Sequence, residues 1–327
     1  MPVVPDGGVT GFPFPPWLAV AALLVAFEGA ADSGQAEDPA PPAARSLLLD
    51  VARAGERLIA VGERGHILIS DDEAASWRQA DSPTNAMLTA VHMHDASFGW
   101  AVGHDAVILR TRDGGENWER VHHAPEEELP LLDVWFADSL NGLAVGAYGY
   151  FLATNDGGDA WTQRAVSEDD FHLNALAPAE GERLYIGAEA GIAYRSDDNG
   201  ENWRELTTPY TGSWFGAAAP SADTILLAGL RGHIFRSEDG GGTWTRVTTE
   251  TTATLTSIRQ LPSGGILVTG HDGVLLEGTD RGRSVSISRV AGRLGITGAM
   301  ALRGGDLLLI GEFGVRRLSG TRKAAGG

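Results

Sequence analysis

The sequence predicts an all-β, seven-bladed propeller, and three observations carry that prediction. An eight-residue box recurs at near-constant spacing, short aliphatic strands precede each box, and first strands recur seven times. The box is clearest at Thr111–Trp118 (TRDGGENW), with copies at Ser70–Trp77, Thr154–Trp161, Ser196–Trp203 and Ser237–Trp244 and a worn copy at Gly278–Val285. Its aspartates, Asp72, Asp113, Asp156, Asp198, Asp239 and Asp280, are separated by 41, 43, 42, 41 and 41 residues. A fixed period of that length marks one supersecondary unit per repeat.

Each part of the box has a mechanical reason. The Asp carboxylate accepts backbone N–H groups within a tight turn, and the preceding hydroxyl does so more weakly. Gly supplies the positive φ of a strand reversal. The box tryptophans Trp77, Trp118, Trp161, Trp203 and Trp244 open the next strand and are expected to pack into their own blades. The box aspartates and tryptophans are therefore read as structural residues.

Along the chain, residues 1–16 are rich in Pro and Gly and carry no Lys or Arg. Trp17–Phe27 is an apolar run of 11 residues, too short to span a bilayer and suited to a signal-peptide core. The missing basic segment before it departs from the usual signal pattern. Cleavage is expected after Ala31 or Ala36, so residues 1–36 read as a signal peptide and 37–46 as a linker. The propeller is assigned to 47–320 and a disordered tail to 321–327. The second repeat shows the cycle best: Leu88–His94, Gly99–Gly103 and Val107–Thr111 form three strands, the box turns, and Trp118–His122 forms a fourth. Short β-branched and aliphatic runs bounded by Gly, Asp and Asn are the all-β signal. First strands begin near 47, 88, 131, 173, 214, 255 and 296, which gives seven four-stranded blades. The seventh has only three strands before the chain ends in RKAAGG. Either it stays three-stranded, or residues 43–46 supply its outer strand.

Composition narrows the function. The 327 residues carry a net charge of −18 without a basic stripe, which excludes the electrostatic footprint of nucleic-acid binding. An acidic surface of this kind serves solubility. There is no cysteine, hence no disulfide and no thiolate chemistry.

The boxes resemble BNR/Asp-box repeats. Second strands ending in Gly-x-x-Gly turns, as in VGERGHILIS, VGAYGYFLAT and AGLRGHIFRS, followed by boxes of the TRDGGENW type, make the chain similar to the photosystem II stability/assembly factor family of propellers. The resemblance covers residues 47–319. It implies a non-catalytic, exported propeller, periplasmic or in a thylakoid-lumen equivalent, that helps membrane-protein complexes assemble. It implies no cofactor, a monomer, and a membrane-protein partner.

In that strand order, turns between strands two and three share one face with the loops joining blades, while boxes occupy the other. The turn face displays Glu63-Arg64, His104-Asp105, Ala147-Tyr148, Glu189-Ala190, Leu230-Arg231, His271-Asp272 and Glu312-Phe313. Longer loops there add Phe171, Tyr210 and Trp214 as aromatic anchors. The candidate partner-binding residues are Arg64, His104, Asp105, Tyr148, Phe171, Glu189, Trp214, Arg231, His271, Asp272 and Glu312. The alternative is a carbohydrate-active hydrolase of sialidase-like or xyloglucanase-like type. A sialidase-like site needs three converging arginines, and the inner turns offer two, Arg64 and Arg231. A two-carboxylate glycosidase needs a pair about 5–9 Å apart, for which Asp105, Glu189, Asp272 and Glu312 are the candidates. His92 and His94 share one strand face, and two satisfied core histidines are expected there rather than a zinc pair. No metal site is assigned.

Overall fold

The computed structural model describes residues 40–319, so the predicted signal segment and the terminal tail lie outside the described residues. These residues form seven antiparallel sheets, six of four strands and one of three, each following chain order from inner to outer strand. Blade one comprises Leu48–Ala54, Arg57–Gly62, Ile67–Ser70 and Arg78–Ala80. The next five blades begin at Leu88, Leu131, Leu173, Trp214 and Leu255. Among the described residues, blade seven has Ile296–Ala301, Leu307–Gly311 and Gly314–Leu318 only.

No fourth strand is added by residues 43–46. Pro42–Arg45 is a single 3-10 turn, started by a Pro that cannot donate to a ladder. Its Ala43 and Ala44 are buried against Leu302, Leu308 and Ile310 of blade seven. The stretch read as a linker thus includes a packed piece of the propeller.

The core is divided into seven clusters, and each lies between two neighbouring blades rather than inside one. A twisted sheet with alternating side chains has two faces, and both faces of these strands are apolar, so each blade is buried only by its neighbours. Polar staples run along the inner strands. The Thr89 hydroxyl donates to Leu131 O (2.7 Å), Asn174 Nδ2 to Trp214 O (2.9 Å) and Thr256 to Ile296 O (2.6 Å). Thr297 closes the ring by donating to Leu48 O at 2.6 Å.

The boxes follow the predicted mechanics. Asp113 Oδ1 accepts from the Asn117 amide (2.9 Å) and the Thr111 hydroxyl (3.0 Å), while Thr111 Oγ1 also accepts from Gly115 N (2.8 Å). Asp72, Asp156, Asp198 and Asp239 repeat this pattern. Asp280 does not share it. There the two flanking strands pair as far as Thr279 and Ser284, leaving a tight hairpin turn with Asp280 at φ 50°.

The box tryptophans touch their own blades, as Trp161 does edge-on against Phe136 at 5.8 Å, but they also reach beyond them. Each packs in the seam with the preceding blade: Trp118 with Ile59 of blade one, Trp161 with Trp100 of blade two, and Trp203 with Leu143 of blade three. Trp77 and Trp244 do likewise against blades seven and four. The box glycines allow this approach. Gly115, at φ 88°, leaves no room for a Cβ beside the Ile59 side chain.

Asp113→Ala is expected to cost about 1–2 kcal/mol, the lower part of the range for unsatisfied amides because the carboxylate is exposed. Thermal unfolding checks this, and an unchanged melting temperature would contradict the capping role.

Acid should weaken all five boxes. The Thr243 backbone N–H and two hydroxyls hold Asp239 down to about 2 from the usual 3.8. Ala160 N–H and the Asn202 side chain lead the lowering of Asp156 and Asp198, and in Asp72 and Asp113 the same bonds outweigh an opposing effect of partial burial. Depressed carboxylates stabilise above their unfolded value and lose that contribution as pH falls through the folded one. The melting temperature should therefore fall between about pH 4 and pH 2, with a smaller fall in Asp239→Asn.

Candidate functional site

The turn face is built from seven strand-two-to-strand-three turns and the loops joining blades. The second residue of six turns, namely Arg64, Asp105, Tyr148, Ala190, Arg231 and Asp272, has φ between 53 and 59°. Few side chains other than Gly, Asn and Asp adopt this left-handed conformation readily. Close packing accompanies it: in five of the six turns the following residue is a glycine that abuts a loop carbonyl, and after Asp105 it is the buried Ala106. An added Cβ at Gly191 would collide with Tyr210 O, and one at Gly232 with Thr251 O. These contacts place turns and inter-blade loops on one face, as the strand order predicts. The seventh pair, Glu312-Phe313, is a two-residue hairpin between Gly311 and Gly314.

Arg64, His104, Asp105, Arg231, His271 and Glu312 are exposed, and Tyr148 is 60% exposed. Several of these are tied to neighbours. Tyr148 packs edge-on against His172 at 4.6 Å, and His172 Nδ1 lies 3.3 Å from Glu189 Oε2. His172 was not among the sequence candidates. It lies next to Phe171, but only the fold brings turns three and four to either side of it. Asp272 pairs with Arg289 (3.3 Å) and Arg293 (3.6 Å), and Glu312 accepts from Gly295 N (3.0 Å). Phe171 is half-buried.

Trp214 is not a surface anchor. It opens an inner strand and is fully buried, with Tyr210 at 5.1 Å and Phe235 at 5.8 Å between ring centroids. Its ring falls on the side of the strand facing the seam between blades four and five. Trp214 therefore supports Tyr210, which in turn stacks on His233 at 4.3 Å.

Charge is unevenly divided over this face. The loops and turns of blades two to four carry Asp105, Glu126, Glu127, Glu128, Glu168, Asp169, Asp170 and Glu189, with no Lys or Arg among them. Arg45, Arg64, Arg231, Arg289 and Arg293 lie on the opposite half. Such a field orients a charged partner during approach.

Below the face runs a central channel of about 350 Å³ lined by the inner strands. Arg259 Nη2 bonds Asp50 Oδ1 there, and Asp50 Oδ2 accepts from Val91 N at 2.9 Å. Asp133 accepts from Leu176 N (2.7 Å) and Val134 N (2.8 Å). It lines the channel, and burial, reinforced by Asp50, pushes its carboxyl up to about 7. His92 also lines the channel, with its Nε2 buried and unpartnered, and burial pushes it down to about 4. His94 is exposed beyond the strand end, so the two histidines are not a matched core pair. No group of three or more metal-ligating side chains occurs among the described residues.

Asp133 gives a pH dependence opposite to that of the boxes. A carboxyl raised to about 7 favours folding in its protonated form, so its contribution is complete below about pH 4. It is lost as pH rises to about 7. Asp133→Asn should flatten the decline in stability between pH 5 and pH 8, as read by denaturant unfolding at both values. Trp214→Ala should cost about 3–5 kcal/mol by leaving a cavity. A surface anchor would cost little, and urea titration separates the two.

The fold and face can now be set beside known proteins. A family model described as photosynthesis system II assembly factor YCF48 matches residues 69–130 and 125–293. A photosystem II assembly protein Ycf48 of Synechococcus sp. (strain JA-3-3Ab) is 37% identical over 139 residues, 41% of this chain and 41% of the relative. A photosystem II stability/assembly factor HCF136, chloroplastic, of Cyanidioschyzon merolae is 43% identical over 47 residues, 14% of this chain and 11% of the relative. The match thus spans about two fifths of the length of the Synechococcus relative. Among solved structures, one titled YCF48 bound to D1 peptide superposes with a TM-score of 0.69 at 15% identity, covering 85% of this chain and 94% of the other. A streptogramin B lyase structure superposes at 0.74 with 10% identity, covering 84% and 94%, so these likenesses show the fold alone. With the family model matched across most of the propeller, this chain belongs to the photosystem II assembly factor YCF48 family.

Proposed function

We propose that this chain is a non-catalytic scaffold that binds a membrane protein through its turn face and assists assembly of that protein's complex, as a photosystem II assembly factor does. The observation that carries this reading is the family match across residues 69–293. The solved relative bound to a D1 peptide supports a protein partner for the same fold. The turn face suits the task, because it holds exposed Arg64, Tyr148 and Arg231 on a backbone locked by its own packing. Arg and Tyr bury large area while keeping directional polar contacts. Export to the periplasm, or to a thylakoid-lumen equivalent, places the scaffold beside the exposed side of such a partner. It acts there as a monomer without a cofactor. The acidic half over blades two to four sets orientation and association rate rather than holding the complex.

The test is capture of the partner from detergent-solubilised membranes, and of a D1 peptide, by variants of matched thermal stability. Arg64→Ala combined with Arg231→Ala should weaken capture by about tenfold or more. Leu140→Ala, an exposed position on the box face, should leave it unchanged. The reverse result would put the partner on the other face. Turnover of sialyl or glucan substrates would instead establish a hydrolase.

A further inference from the structure

The repeats of this chain can be compared with one another, and the comparison isolates one seam. In most seams an arginine of one blade donates to a backbone carbonyl in the box of the next. Arg57 Nη1 reaches Gly114 O at 2.9 Å, Arg110 Nη1 reaches Gly157 O at 2.8 Å, and Arg195 Nη1 reaches Gly240 O at 3.2 Å. Arg236 Nε reaches Arg281 O at 3.0 Å, and Arg317 Nη1 reaches Glu73 O at 3.5 Å. Carboxylates complete two of these cradles, with Arg57 on Glu116 and Arg110 on Asp159, each at 2.7 Å. Arg110, Arg195 and Arg236 occupy one position, the residue just before the box hydroxyl.

Blade three has Ala153 at that position. The equivalent carbonyl in the box of blade four is that of Asn199, and no arginine of blade three reaches it among the described residues. A cleft of about 490 Å³ opens at this seam, bordered by Trp135, Ala153 and Arg164 on one side and by Asp198, Asn199 and Glu201 on the other. The rest of the cradle is retained. Glu201 stands where Glu116 and Asp159 stand in their boxes, three residues after the box Asp. Arg164 comes from the outer strand and is engaged with Glu201, through Nη2 to the Glu201 carbonyl (2.6 Å) and Nη1 to its carboxylate (3.2 Å). With Asp138 also on the rim, the cleft is lined by three carboxylates and one arginine, Asp138 and Asp198 capping their own loops, and the half-buried Trp135 lines the same space.

We infer that this cleft binds the guanidinium of an arginine side chain presented by a protein partner. The bound group would take the place that Arg110 and Arg195 fill in their own seams, donating to the Asn199 carbonyl and the Glu201 carboxylate. A planar guanidinium fits a carbonyl–carboxylate pair and stacks on an indole, whereas an ammonium is a point charge that matches neither geometry. The site lies on the box face, opposite the turn face, and does not depend on the turn-face reading.

Titration of the intact protein with N-acetyl-arginine amide, followed by the indole resonance of Trp135, tests this directly. Saturable binding is expected, and the isosteric N-acetyl-citrulline amide should bind at least about tenfold more weakly, because it lacks the charge. Ala153→Arg should fill the cradle from within, raise the melting temperature and abolish the titration. Glu201→Gln gives an independent measure should that variant fold poorly, and is expected to weaken binding about tenfold. Equal response to arginine and citrulline would overturn the proposal, as would full binding by Ala153→Arg. An arginine-bearing peptide that binds no more tightly than free agmatine would show a small-molecule cation site instead of a partner contact, overturning the protein-partner assignment.

Discussion

The structure depends on one constraint: no blade of this chain can bury its own faces. The inner and middle strands read as continuous apolar runs, as in Leu58–Val61 and Ile225–Ala228, so both faces of each sheet need cover. Stacking sheets in a row would leave two faces open at the ends. Closing the row into a ring removes both ends at once, and the seven seams then become the core. Every other feature serves those seams. Inner-strand hydroxyls and amides staple neighbouring blades, arginines reach across to box carbonyls, and box tryptophans fill the outer gaps.

Seen this way, the Asp box is an inter-blade device as much as a turn. The Asp and hydroxyl cap the loop's own amides, which fixes its shape. That fixed shape delivers a Trp ring and a carbonyl to the preceding blade. Positive-φ glycines are required because the loop presses on that blade's side chains. Where the box is worn, at Asp280, strand pairing extends to Thr279 and Ser284 and leaves a plain hairpin, and Val285 takes the place of the Trp in the seam. Where it is absent, in blade seven, the seam with blade six has the smallest cluster of buried residues.

The two faces of the ring follow from the same arrangement. Boxes and their arginine cradles occupy one face, which leaves the other to turns held in the left-handed region. Backbone strain at six successive turns is tolerated because the ring packing over-determines them. Rigid, strained, chemically varied turns are what a recognition surface uses, since little conformational entropy is lost when a partner docks. On the proposed function, the uneven charge of that face would add direction without changing the frame.

Much of this was determined by sequence alone. A period near 42 residues, boxes with fixed chemistry and strands of alternating bounds fix the blade count, the strand order and the side on which the turns emerge, because these are local or periodic properties. Contacts between distant segments were decided only by tertiary structure. Trp214 looks like a loop anchor in sequence, yet its place on an inner strand turns it into a seam. The box tryptophans carry no mark of which blade they will touch, since own and preceding blade lie equally near. His172 becomes notable only when two turns flank it. The same holds for Ala153, an unremarkable residue in its strand, whose small size matters because the folded ring sets it where three sister repeats supply an arginine. The packing of blades into a ring is the physical reason: neighbouring blades join residues about 40 apart and ring closure joins Thr297 to Leu48, 249 apart, and no local pattern records which side chains then meet.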